Sequence, residues 1–252
     1  MELDGRRALV TGVSRRAGIG YAIARRLLDA GASVFIQGWT SHDAAQHWGA
    51  EPGGTEGIAR ELGGVPFAEE DFEDAGAPER VVRAASEALG PLDVLVVNHA
   101  RSGHGGLPGL TAEELDGFLH VNVRASLLLV REFALLHGGS RPGGRVVLLT
   151  SGQHRAPMPR EIAYAVSKGA LQQATLTLAD DLAELGITVN TVNPGPTDTG
   201  WGLATQEPTS MPFGRWGEPD DAARLIVWLC GDGARWITGQ TIDSEGGFKR
   251  WK

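Results

Sequence analysis

The sequence predicts an α/β fold: a doubly wound, mostly parallel sheet of seven strands with helices on both faces. Two observations carry this. Short runs rich in Val, Ile and Leu alternate along the whole chain with longer stretches of helical period, the pattern of strand–helix–strand units around a parallel sheet. The chain has 252 residues, 42% hydrophobic and 21% charged. That suits one domain spanning residues 1–252 and excludes a disordered, collagen-like or fibrous chain, despite 36 Gly and 13 Pro.

The strands are expected at 8–11, 33–37, 64–67, 94–98, 145–150, 188–193 and 241–243, and the helices at 19–30, 57–62, 78–89, 112–137, 163–185 and 219–230. Gly31 and Gly186 mark two helix ends, and Thr111 with Glu114 forms a capping box at the start of a third. The Gly/Pro-rich stretches 49–57, 101–109, 138–144 and 194–219 read as loops, and no internal repeat stands out.

With 23 basic and 31 acidic residues the formal charge is −8, which argues against nucleic acid or a basic membrane-surface role and favours a small-molecule partner. Cys230 is the single cysteine, so there is no internal disulfide and no cysteine-based zinc site, as expected of a reducing compartment. No metal is expected: His42 and His47 lie in a loop without ligand spacing. The N-terminus lacks a basic segment followed by an apolar one, and no apolar run is long enough to cross a bilayer. A soluble cytoplasmic protein is expected.

Between the first strand and first helix lies Thr11-Gly12-Val13-Ser14-Arg15-Arg16-Ala17-Gly18-Ile19-Gly20. Glycines here let the backbone turn tightly and approach a pyrophosphate, whose charge is stabilised by free N–H groups at the helix N-terminus. The second strand ends in Gln37-Gly38-Trp39-Thr40-Ser41 without the carboxylate that NAD-selective sites place on the ribose. Arg15 and Arg16 are guanidinium partners for a 2′-phosphate, so NADP(H) is expected over NAD(H).

Tyr164 and Lys168 stand four residues apart on one helical face. The chain has two Tyr and only three Lys, and Lys168 is the one lysine before residue 249 in a sequence that otherwise carries its positive charge on 20 Arg. A free phenol titrates near 10, and a neighbouring cation is expected to lower that value and make Tyr164 a general acid and base. Ser151 ends the fifth strand, at the sheet edge where such folds bind ligands, and is placed to hold the substrate oxygen.

With these residues, the sequence resembles the short-chain dehydrogenase/reductase family, whose fold is Rossmann-like, and within it the 3-oxoacyl-carrier-protein reductase type. The resemblance covers nearly the whole chain: Thr11–Gly20, Asp71-Phe72, Asn98-His99-Ala100, Asn122, Ser151, Tyr164 with Lys168, Asn193-Pro194-Gly195, Thr199, Arg215–Pro219 and Ile237–Gln240. It implies a catalytic set of Asn122, Ser151, Tyr164 and Lys168. It also implies a cofactor set of Gly12, Ser14, Arg15, Arg16, Gly18, Ile19, Gly20, Asp71, Phe72, Asn98, Ala100, Tyr164, Lys168, Pro194, Gly195, Thr197 and Thr199. By the same resemblance Asp71 binds the adenine amino group, Thr197 and Thr199 hold the carboxamide, Lys168 bonds the nicotinamide ribose, and Asn122 binds a water that links Lys168 to solvent. Assembly into a homotetramer, or a homodimer, through the helices at 112–137 and 163–185 and the segment 240–247 is implied as well.

The chain departs from that pattern in three places. Five residues separate Gly12 from Gly18 where three are usual, as in the enoyl-reductase branch; that branch, however, puts six residues between its Tyr and Lys, and here there are three. Asn98-His99-Ala100-Arg101 replaces Asn-Asn-Ala-Gly, and Arg101 at the substrate mouth is compatible with an anionic substrate. The stretch 39–57, with His42, His47 and Trp48, is longer than the usual strand-to-helix connection. Residues 200–213 are expected to form a flap, with Trp201, Leu203, Met211 and Phe213 offering apolar contacts and Gln153, His154 and Met158 lining the same pocket. The expected activity is hydride transfer between NADP(H) and a carbonyl or secondary alcohol, a 3-oxoacyl thioester among the candidates. An enoyl reductase and a non-catalytic cofactor sensor are the alternatives.

Overall fold

A computed structural model describes residues 2–137, 143–200 and 208–250. Seven strands form one sheet in the order β3-β2-β1-β4-β5-β6-β7, every pairing parallel. They are β1 Arg7–Thr11, β2 Ser33–Gly38, β3 Phe67–Glu69, β4 Val94–Val97, β5 Gly144–Leu149, β6 Ile187–Asn193 and β7 Thr241–Asp243. The helices are α1 Ile19–Asp29, α2 Thr40–Ala44, α3 Gly54–Glu61, α4 Ala77–Leu89, α5 Ala112–Phe118, α6 Ala125–His137, α7 Ile162–Ala183 and α8 Pro219–Cys230.

Alternation along the strands builds two cores. Val10, Val96 and Val147 face one side of the sheet and pack with Ile23 and Leu27 of α1, Ile58 of α3 and Ile226 of α8. Their neighbours Leu9, Leu95 and Leu148 face the other, with Val82 of α4, Phe133 of α6 and Leu182 of α7. Both sides of the central strands are covered, which is why these strands read as unbroken apolar runs. The chain leaves β1 toward β2 and later returns to β4 on the opposite side, so a crevice opens above the carboxyl ends of β1 and β4.

Three expectations need correction. The third strand lies at Phe67–Glu69, not 64–67, because Gly63 and Gly64 take left-handed φ values of 92° and 79° to end α3 and the chain becomes extended only afterwards. Helix α3 itself begins at Gly54, one turn before the expected 57. The continuous helix expected over 112–137 is broken by a π-helical turn, Leu119–Arg124, between α5 and α6. The Thr111 hydroxyl does accept the Glu114 backbone N–H at 3.2 Å.

Candidate active site

The β1–α1 turn shapes one end of the crevice. Gly12 has φ 71°, and a Cβ there would sit 2.7 Å from the His99 Cα. The Gln37 side chain accepts the Gly12 N–H at 3.0 Å and donates to the Glu70 carbonyl at 2.8 Å, tying the ends of β1, β2 and β3 together. Asn98 donates from Nδ2 to the Thr11 and Gly12 carbonyls at 3.0 and 2.9 Å, fixing the turn from the β4 side. Helix α1 starts without an acidic residue in its first turn and without a side-chain cap. Its N-terminal dipole is thus presented to the crevice, a seat for a pyrophosphate.

A cleft of about 840 Å³ runs from this turn across the sheet edge. Gly12, Ser14, Arg15, Gly18, Ile19, Asp71, Phe72, Asn98 and Ala100 line one half, with Pro194, Gly195, Thr197 and Thr199 opposite. Ser151 and Tyr164 lie at the far end beside Arg101 and Met158. Gly195 has φ 69°, and a Cβ there would meet the Glu245 backbone at 2.8 Å, so this turn is also built for close approach. A glycine cradle at a helix N-terminus, followed by a groove ending in a phenol and a hydroxyl, fits a dinucleotide with a reacting centre at its far end.

Residues 12–249 match the family model described as Enoyl-(Acyl carrier protein) reductase. The chain belongs to the short-chain dehydrogenase/reductase family. It is 41% identical over 253 residues to the uncharacterized oxidoreductase YjdA of Bacillus subtilis, covering 96% of each chain. A short-chain dehydrogenase/reductase from Serratia marcescens superposes with a TM-score of 0.86 at 34% identity, covering 99% of this chain and 100% of that one. A short-chain dehydrogenase from Burkholderia cenocepacia, solved in complex with NADP, gives 0.83 at 37% identity over 98% and 99%. The protein is therefore a short-chain oxidoreductase that uses a nicotinamide dinucleotide.

In this short-chain oxidoreductase burial pushes the Tyr164 phenol up to about 12, outweighing the lowering influence of the Ser151 hydroxyl. The expected lowering by Lys168 is not found. The Lys168 ammonium donates to the Leu149 carbonyl at 2.9 Å and lies 5.9 Å from the centre of the Tyr164 ring; its own burial pulls it down to about 8. Low-dielectric surroundings disfavour phenolate and ammonium alike, and here they dominate the attraction between the two.

Asn122 does not line the cleft. It is fully buried in the π-helical turn, where its Oδ1 accepts the Arg101 N–H at 2.7 Å while its Nδ2 donates to the Arg101 carbonyl and to Ser167 Oγ, each at 2.9 Å. Its carbonyl accepts the Ser126 hydroxyl at 2.6 Å. Asn122 thus braces the loop after β4 against α7.

Other expected site residues lie elsewhere. Arg16 points away from the cleft, held by Glu51 and by Glu61 at 2.7 Å, so it is not a free partner for a 2′-phosphate. Gly20 is behind the turn: a Cβ there would run into the Gly12 carbonyl, so its role is close packing of α1 on β1. His154 pairs with Asp243 at 3.0 Å on the β7 side, and Gln153 spans Thr150 and Gln172, so neither reaches the substrate end. Met211 is buried against Gly246, while Phe213 is exposed. Trp201 and Leu203 lie outside the described residues. Arg101 lines the cleft with its guanidinium 3.4 Å from Glu73, and its backbone is not left-handed.

Several site residues carried no motif. His99 is buried, and its Nε2 lies 3.0 Å from the Val121 carbonyl, which can only accept; Nε2 therefore bears the proton and Nδ1 accepts the Thr11 hydroxyl at 2.8 Å. Trp48 and Asp43, from the long connection, line the cleft: Trp48 donates to Asp43 at 3.0 Å, and the Arg15 guanidinium lies 4.6 Å over the indole. Glu161 and His104 flank the Tyr164 end. The sequence signals were a histidine in place of the family's asparagine and an unexplained aromatic in the long connection. Glu161 had no signal beyond its place three residues before Tyr164.

Proposed function

We propose that the protein is an NADP(H)-dependent carbonyl reductase in which Tyr164 is the proton donor. The observation that carries this reading is that Ser151 and Tyr164 line the same cleft that begins at the glycine turn, with the Lys168 ammonium 5.9 Å from the centre of the phenol ring. The bound nicotinamide supplies the hydride, taken up by the carbonyl carbon. Ser151 donates a hydrogen bond to the carbonyl oxygen and fixes it against Tyr164. With its phenol near 12, Tyr164 is protonated at neutral pH and gives its proton to that oxygen as negative charge develops. Lys168 keeps a cation beneath the ring that stabilises the phenolate left behind. Asn122 holds the Arg101 loop and α7 in register around these groups. Arg15 is the cation available to a 2′-phosphate, which with the NADP complex of the Burkholderia relative supports NADP(H) over NAD(H). A homotetramer assembled through α6 and α7 is proposed with this reading.

The description of the matching family model favours a second reading, reduction of C=C in an enoyl thioester. The three-residue spacing between Tyr164 and Lys168 supports carbonyl chemistry instead. Product analysis on an α,β-unsaturated ketone separates the two, since a saturated ketone as product overturns our assignment. Tyr164→Phe is expected to lower kcat by at least about 10³-fold while the Kd for NADPH changes less than about threefold. Near wild-type turnover in that variant would remove Tyr164 from the chemistry.

A further inference from the structure

Glu161 occupies the N-cap position of α7, yet its carboxylate caps nothing: no side-chain cap bond is made to the first turn of the helix. Its ion-pair partner by distance is the His104 ring, whose Nδ1 lies 3.7 Å away, beyond hydrogen-bond distance, on a side chain 68% exposed. The Glu161 side chain itself is only 27% exposed. No described residue donates a hydrogen bond to this half-buried carboxylate, and burial raises its titration. The local backbone is nevertheless arranged to hold it there. Arg160 is the one described non-glycine residue with a left-handed φ, 67°, and its carbonyl accepts the Gly105 N–H at 2.6 Å, clamping the loop after β4 onto the start of α7.

The placement is chemical rather than architectural. Glu161 lines the cleft with Tyr164, one helical turn away on the same face, and its charge is felt at the phenol. Met158 and Gly103 line the cleft around it and offer no competing donor side chain. Arg101, the cation on this side of the cleft, is engaged by Glu73 and lies over the Phe118 ring. We propose that Glu161 is a substrate-recognition residue whose carboxylate accepts a hydrogen bond from a hydroxyl group carried next to the reacting carbonyl. The substrate class is then a neutral hydroxylated ketone or aldehyde rather than the anion that Arg101 alone suggested.

This assignment rests on the carbonyl-reductase reading, and the test separates the two. The kcat/KM values for NADPH-driven reduction of 2-hydroxyacetophenone and 2-methoxyacetophenone, close in size but differing in the donor, are compared in wild type, Glu161→Gln and Glu161→Leu. A charge-assisted hydrogen bond predicts a wild-type preference for the hydroxy compound of about 10- to 100-fold. Glu161→Leu should bring that ratio to within about threefold of unity, and Glu161→Gln, whose amide oxygen still accepts, should fall between. An unchanged ratio in Glu161→Leu, with NADPH binding intact to show a folded protein, overturns the role of Glu161 and leaves the reductase reading standing. Failure of the wild type to reduce either ketone overturns the reductase reading and this assignment with it.

Discussion

His99 shows how one side chain connects the pieces of the site. Its neutral ring joins Thr11 at the end of β1 to the Val121 carbonyl in the π-helical turn and packs at 4.2 Å on Phe72. Burial pulls its titration down to about 3 from an ordinary 6.5. Between those values the unfolded chain binds a proton that the fold refuses, so stability falls as pH drops through this window and is unaffected above it. At about 1.4 kcal/mol per unit, the loss from pH 6.5 to pH 4 is about 3 kcal/mol. In His99→Asn this contribution is absent. Urea unfolding across pH 4 to 7 should therefore show the wild-type advantage over His99→Asn shrinking by about that amount toward pH 4. A pH-independent difference would mean that the ring takes up a proton in the folded protein.

Between strands and helices, the elements that make the site are those that break the regular pattern. The π-helical turn is one: its altered bonding leaves the Val121 carbonyl to His99 and directs Asn122 at the Arg101 loop. The connection carrying α2 is another. It brings Trp48 and the buried Asp43 against Arg15, whose Nη2 also donates to the Thr199 carbonyl at 2.5 Å across the cleft. Arg15 is thus stacked, oriented and over the groove, whereas Arg16 belongs to Glu51, in the connection before α3, and to Glu61 at the end of α3. Arg15→Ala is expected to weaken NADPH about 10- to 100-fold relative to NADH, and Arg16→Ala less than about threefold, by fluorescence titration of each cofactor. Equal losses for both cofactors would show that Arg15 does not read the 2′-phosphate.

Across the molecule, large apolar side chains are exposed at several places, among them two of the long helices. Leu135 and Leu136 on α6 are 60% and 49% exposed, and Val166 and Leu176 on α7 are 52% and 68%. Side chains of this size left in water on the helices that flank the site are consistent with burial against a second copy. Leu176→Asp should shift the sedimentation coefficient of the assembly toward that of the monomer; an unchanged coefficient would place any contact elsewhere. No described helix is long and apolar enough to cross a membrane.

The strand–helix alternation was readable in the sequence because a sheet covered on both faces needs apolar residues at consecutive positions, and helices that cover it need a 3.6-residue period. The glycine turn and the Tyr164–Lys168 pair were readable for a similar reason: each depends on residues close in the chain. The third strand was misplaced because two left-handed glycines delayed it, and the break at Leu119–Arg124 was invisible because that stretch has an ordinary helical pattern. What holds the turn open is His99 and the Arg101 backbone, about 20 residues earlier in the chain and brought near only by the sheet. Solvation gave the same lesson. The sequence placed a cation beside a phenol, but burial moved both groups toward their neutral forms, while chain folding brought Glu51 and Glu61 to Arg16 and left Glu161 facing the cleft. Adjacency along the chain determined which residues meet within a turn or a helix face. Burial and contacts between distant segments, which set the dielectric and the partners of each charge, were decided by the tertiary structure alone.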